Sequence, residues 1–402
     1  MKENKGITLV ALIITIIVMI ILVSTTVSIL IGENTPIKQA KRLQSKSDLE
    51  RLKEDILMAT IDKKIDDYVE GGDMLNCLNK IADITIDEIA VGTYHVTRGT
   101  AEVTVYEDGD IEEGQVEIWG GTIAQPTCPE FKENATEEGV WDWYIYKPSE
   151  LQFLQEFVNN GNSLTGDVRN LTPLVAEANR SKVVITENKT KVYLMNNLDM
   201  GAREGATKGD VEKRWEKAAD GVTDSVNQTS YNWTPIGADN DTKKFKGIFE
   251  GQDHTIRGVY VNRTANSNGI FGNSNTIKNL TIKDSYIKGG TGTGGIVGAL
   301  RTGEVLSCHN ANTIVILKNG SYYSVGGVVG FCQAPVSDCT NTGGVYAYGA
   351  IDDRGQISTY IGGVLGIAFA GDVSNCRNYG EVINKSQRHG DRRSCWICIF
   401  NN

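Results

Sequence analysis

Cys308, Cys339 and Cys376 each close a short stretch that opens on valine: Val305-Leu-Ser-Cys308, Val336-Ser-Asp-Cys339 and Val373-Ser-Asn-Cys376. On neighbouring turns of a repeat, such equivalent slots would bring their Cα atoms within disulfide range. Leu280 closes the matching stretch Ile277-Lys-Asn-Leu280. The slot therefore wants a modest apolar side chain, and a buried ladder is expected rather than a set of bridges. Asn310, Asn341 and Asn378 recur two residues further on. Asn tolerates left-handed backbone and stacks through amide hydrogen bonds, which predicts an asparagine ladder at a turn.

Glycan lyases and hydrolases need convergent acids or a bound calcium. The candidate acids are Asp239 with Asp241, Asp253, and Asp352 with Asp353. All lie in turn-like contexts and none recurs at one repeat position, so they read as carboxylates that solvate turns. The 4 histidines show no triad or metal pattern, and His254 reads as a turn residue. Cys395-Trp-Ile-Cys398 has the bare C-x-x-C spacing without a βαβ context or a second pair. No catalytic residue, metal or cofactor is assigned.

The elements that carry these slots repeat. Gly294-Gly295-Ile-Val-Gly298, Gly326-Gly327-Val-Val-Gly330 and Gly362-Gly363-Val-Leu-Gly366 are one motif, with the second glycines 32 and 36 residues apart. A weaker copy stands at Asn268-Gly269-Ile-Phe-Gly272. Each copy is followed by one of the stretches ending in Leu280 or a ladder cysteine, which makes four turns. A unit this small cannot bury its apolar side alone, so the copies must stack, with strands about 4.8 Å apart. The pattern resembles the GLUG motif of large bacterial surface proteins. Trp233-Thr-Pro-Ile-Gly237, Phe245-Lys-Gly-Ile-Phe-Glu-Gly251 and His254-Thr-Ile256 resemble the segment that leads into such repeats. The resemblance covers roughly residues 190 to 384 and implies a right-handed β-helix with surface or adhesive roles and no prescribed catalytic residues.

At the other end, Ile7 to Ile31 is a run of 25 uncharged residues. As a helix it is roughly 37 Å long, enough to cross a bilayer. Lys2 and Lys5 flank it on the N-terminal side, which places residues 1–6 in the cytoplasm and the bulk of the chain outside. Lys5-Gly6-Ile7-Thr-Leu-Val-Ala11 resembles the leader of type IV prepilins. That resemblance implies cleavage after Gly6 by a prepilin peptidase, methylation of Ile7, and other pilin-like subunits as partners. The family's usual Phe and Glu at the first and fifth mature positions are Ile7 and Ala11 here, so the carboxylate used in fibre assembly is missing.

Between the ends, residues 32–70 read as an amphipathic stalk helix, with Leu49, Leu52 and Ile56 and then Ile61, Ile65 and Tyr68 at helical spacing. Residues 71–136 read as a small β meander and a connector. A short helix from Ser149-Glu150 to Asn159 is expected to cap an open β edge, and residues 202–231 read as a polar surface insertion. Residues 385–402 lose the repeat register and are expected to be an irregular tail, the mark of a truncated array.

A formal net charge of −10 argues against a nucleic-acid partner held through phosphates. The 44 glycines against 7 prolines fit a chain of tight turns, and 8 scattered cysteines are too few for a disulfide scaffold. The expected protein is mainly β: a transmembrane and stalk helix, a small meander, then a β-solenoid over residues 137–384. Its expected place is the cell membrane, single-pass, with the bulk at the cell surface. Its expected role is non-enzymatic adhesion to an extracellular glycan or protein. Competing expectations are an anchored glycan-active β-helix enzyme and a minor pseudopilin.

Overall fold

The computed structural model describes residues 36–69, 72–121, 125–164, 171–202, 231–238, 241–318, 323–348, 359–384 and 397–398. The leader, the 7–31 span and most of the 202–231 insertion lie outside them. Among the described residues no helix is long and apolar enough to cross a membrane. The chain divides into two compact units, Met1–Val116 and Glu117–Asn402.

In the first unit, α1 (Pro36–Val69) is followed by α2 (Met74–Leu78), whose N-terminus is capped by the Asp73 carboxylate accepting from the Leu75 backbone N–H at 2.8 Å. Four antiparallel strands then pair in chain order: β1 (Thr85–Ala90), β2 (Thr93–Arg98), β3 (Ala101–Tyr106) and β4 (Ile111–Glu113). Alternation sends Tyr94 and Val96 of β2, and Val103 and Val105 of β3, to the buried face. Leu52 and Ile56 of α1 join that core together with Met74 and Leu78. The first apolar face of the stalk helix is therefore covered by the meander, because burying it there removes both apolar surfaces from water at once. Ile61 stays 43 % exposed. The Ile65 and Tyr68 side chains lie outside the described residues.

The second unit opens on an antiparallel pair, β5 (Glu130–Glu133) and β6 (Trp141–Ile145), so the expected connector carries a strand. Next comes α3 (Pro148–Asn159). Its Glu150 carboxylate accepts from the backbone N–H groups of Tyr146 (2.6 Å) and Lys147 (3.2 Å), closing a capping box. Leu151, Phe153, Leu154, Phe157 and Val158 of α3 are all buried in the core that holds Trp143.

From β6 onward the described strand pairings are parallel, in four sheets. An eleven-stranded sheet runs from β5 and β6 through 191–194, 245–250, 271–278, 297–300, 329–332 and 365–368, with three short strands beside it. A six-stranded sheet runs from 198–199 to 377–378, a five-stranded one from 260–262 to 382–384, and a four-stranded one from 293–294 to 397–398. Each repeat visits the four-, eleven-, six- and five-stranded sheets in that order and returns one strand further along. Pairing joins repeat-equivalent residues: Val297 with Val329 and Leu365, Gly294 with Gly326 and Gly362, Ile277 with Val305, Val336 and Val373. The tail expected to be irregular contributes Ile397–Cys398, parallel to Ile361–Gly362, because an open strand edge accepts any segment able to complete its ladder.

Candidate functional site

The repeat-borne slots form two ladders on the six-stranded sheet side, buried except for the partly exposed Asn378. Cys308 and Cys339 are fully buried, and Cys376 is 7 % exposed, in line with fully buried Leu280. The three cysteines are free thiols. Each thiol donates to the carbonyl two residues back, Cys308 to Leu306 at 3.4 Å, Cys339 to Ser337 at 3.2 Å and Cys376 to Ser374 at 3.3 Å. Burial pushes the Cys308 thiol up to about 12. Cys339 is also raised, by its pairing with the neighbouring Cys376 thiol and by burial. The same pairing lowers Cys376, to about 7.

Asn310, Asn341 and Asn378 pair in register on adjacent strands. Asn310 donates to the carbonyls of Gly327 (2.8 Å) and Thr313 (3.3 Å) and accepts from the Thr313 N–H at 3.0 Å. Asn341 donates to the Asn378 amide oxygen at 2.7 Å and to the Gly343 carbonyl at 2.9 Å, and Asn378 to Gly380 at 2.9 Å. These asparagines sit in short strands with side chains pointing in, so the expectation that they occupy the left-handed turn is corrected. The left-handed corner is one residue before each ladder slot, at Asn279 (φ 50°), Ser307 (51°), Asp338 (55°) and Asn375 (51°). A corner there swings the following side chain into the core, and small polar residues meet its steric demand best.

The asparagines explain the second glycine of the motif. A Cβ at Gly327 would overlap both the Gly363 carbonyl and the Asn341 side chain, and Gly295 and Gly363 face Asn310 and Asn378 in the same way. The Gly327 carbonyl accepts from the Gly295 N–H at 3.1 Å as well as from Asn310. The remaining motif glycines, Gly269, Gly272, Gly294, Gly298, Gly326, Gly330 and Gly366, pack against backbone of adjacent turns, while Gly362 pairs with Gly326.

Of the residues singled out for chemistry, His254 is partly buried, with Nδ1 3.3 Å from the Asn197 amide oxygen, and burial lowers its pKa. Asp253 holds a left-handed corner at φ 61°. Asp239, Asp352, Asp353 and Cys395 lie outside the described residues. Among the described residues no group of three His, Cys, Asp or Glu side chains could hold a metal ion.

Sequence reasoning missed the outer row of the eleven-stranded sheet. Glu130, Tyr144, Tyr193, Glu250 and Lys278 are cross-strand neighbours. All are at least partly exposed, while Trp143, Val192, Phe249 and Ile277 beside them are fully buried. Tyr144 and Tyr193 stack at 5.2 Å, with the Lys132 ammonium 4.4 Å from the Tyr144 ring. Only the alternation in Trp-Asp-Trp-Tyr-Ile and Lys-Val-Tyr-Leu hints at this row in sequence.

No family model and no curated protein matches the chain. Among solved structures, one from Bacteroides ovatus described as "a putative immunoglobulin A1 protease" aligns over 70% of this chain and 84% of its own, at 12% identity and a TM-score of 0.29. A score that low carries no argument.

Proposed function

We propose that the chain is a membrane-anchored, outward-facing, pilin-like surface protein whose parallel sheets coil as a right-handed β-solenoid, and that its role is adhesion rather than catalysis. One observation carries this reading: adjacent turns hold repeat-equivalent residues in register, so every outward position becomes a continuous row of side chains on a rigid face. Such a face offers many weak contacts to an extended glycan or protein, and its affinity grows with the length engaged. The apolar span of residues 7–31 supplies the anchor, and the Gly6–Ile7 junction the processing site.

Two measurements test the two halves. Mass spectrometry of the mature protein is expected to find N-methylated Ile7, and an intact Met1 rejects the prepilin route. Cells displaying the full chain are expected to adhere to host or abiotic surfaces better than cells lacking it, with the gain lost after protease shaving. Equal adhesion by the two strains rejects the adhesive role, and cleavage of a glycan by the full chain rejects the non-enzymatic one.

A further inference from the structure

We propose that Cys339 and Cys376 form a reversible disulfide that staples two consecutive repeats, made by thiol–disulfide exchange with a small-molecule disulfide. The two cysteines directly precede the paired residues Thr340 and Arg377 on adjacent parallel strands. Neighbouring strands lie about 4.8 Å apart, inside the Cα range of disulfides. The left-handed corners at Asp338 and Asn375 turn both side chains the same way, and the Arg377 N–H donates to the Cys339 carbonyl at 2.9 Å, holding the two strands together beside the cysteines.

Cys308 and Cys339 occupy equivalent slots one turn earlier, so the ladder offers two pairings, and two features select the outer one. Cys308 is fully buried, whereas Cys376 is 7 % exposed. Among the described residues, Arg377–Asn378 is the edge strand of the six-stranded sheet, whereas the strand after Cys308 is paired on both sides. The lowered pKa of Cys376 favours it as the attacking group.

The Cys376 thiolate attacks one sulfur of the disulfide R–S–S–R, forming a mixed disulfide and releasing R–S⁻. Cys339 loses its proton and attacks the Cys376 sulfur, forming the Cys339–Cys376 bond and expelling the second R–S⁻. The two protein thiols are oxidised by two electrons, and the small disulfide is reduced to two thiols that take up the two protons. The link closes a chain segment of tens of residues, which restricts the unfolded state and holds the edge turn in place. The inference draws on the outward-facing reading only for where the oxidant is met, and exchange in purified protein tests it separately.

The experiment treats the reduced full chain with oxidised glutathione, blocks free thiols, and maps peptides without reduction, using fragment spectra to separate Cys332 from Cys339. The expected result is a Cys339–Cys376 link as the dominant product, Cys308 still a thiol, and a Tm several degrees higher that dithiothreitol reverses. Cys339→Ser is expected to stop at the mixed disulfide on Cys376. Should that variant fail to fold, the wild-type map decides alone. A free Cys376, a persistent mixed disulfide in the wild type, a Cys332–Cys376 link, or a Cys308–Cys339 link overturns the proposal.

Discussion

The first turns of the parallel sheets and the later ones solve the same packing problem with different side chains. Near β6 and α3 the core is aromatic: Trp143 packs against Phe153 (6.2 Å) and Phe157 (5.2 Å), and Phe245, Phe249 and Phe271 meet within 5.1–6.5 Å. Beyond Gly294 the buried residues are Val297, Leu300, Val305, Val329 and Cys332, with Asn310 and Asn341 inside as well. The aromatic part is held by individual shapes fitted once. The repeated part is held by small groups whose fit recurs on every turn, so an error in one turn is felt by both neighbours.

That contrast can be broken most forcefully at Trp143. Trp143→Ala is expected to cost about 3–5 kcal/mol, because no repeated neighbour can fill the void beneath α3. Thermal or urea unfolding of the full chain reads it, and a loss under 1 kcal/mol, on the order of a surface change, removes the claim. Gly327→Ala comes next at about 1–3 kcal/mol, since the new methyl must displace a carbonyl and the Asn341 amide together. The same change at Gly120, where a Cβ would meet nothing, is expected to be nearly silent and serves as its control. Asn341→Ala should cost about 1–2 kcal/mol by leaving the Asn378 amide and the Gly343 carbonyl without their donor. Pairing it with Gly327→Ala sharpens the point: the double variant is expected to lose less than the sum, because the alanine vacates the space that the added methyl needs. The smallest effect belongs to the outer row, where Tyr193→Ala should lower stability by about 0.5–1.5 kcal/mol through the lost stack on Tyr144.

The two parts also differ in how far they can be read from sequence. In the repeated part, the spacing of Gly295, Gly327 and Gly363 and of Leu280, Cys308, Cys339 and Cys376 led to the observed register, because repetition turns one local rule into four aligned instances. The lead-in has no second copy to align, so nothing in its spacing marks β5 as a strand or places Tyr144 beside Tyr193. The first unit lies between these cases. Its helix and meander were legible from periodicity, but nothing in the spacing of Leu52 and Ile56 said that β2 and β3 would cover them.

Sequence by itself determined the periodic facts: which residues share a slot, which slots want small or apolar side chains, and where glycine is required. Periodicity suffices there because stacking places equivalent residues on top of one another whatever the path between them. Tertiary structure alone decided the rest. It moved the left-handed corner from the asparagines to the residue before each ladder slot, and it turned the asparagines inward to meet the carbonyls beside the glycine pairs. It also left Cys376 slightly more exposed than Cys308 and Cys339. These depend on which backbone groups approach across turns 26 to 37 residues apart, and such distances are set by the packed stack rather than by neighbours in the chain.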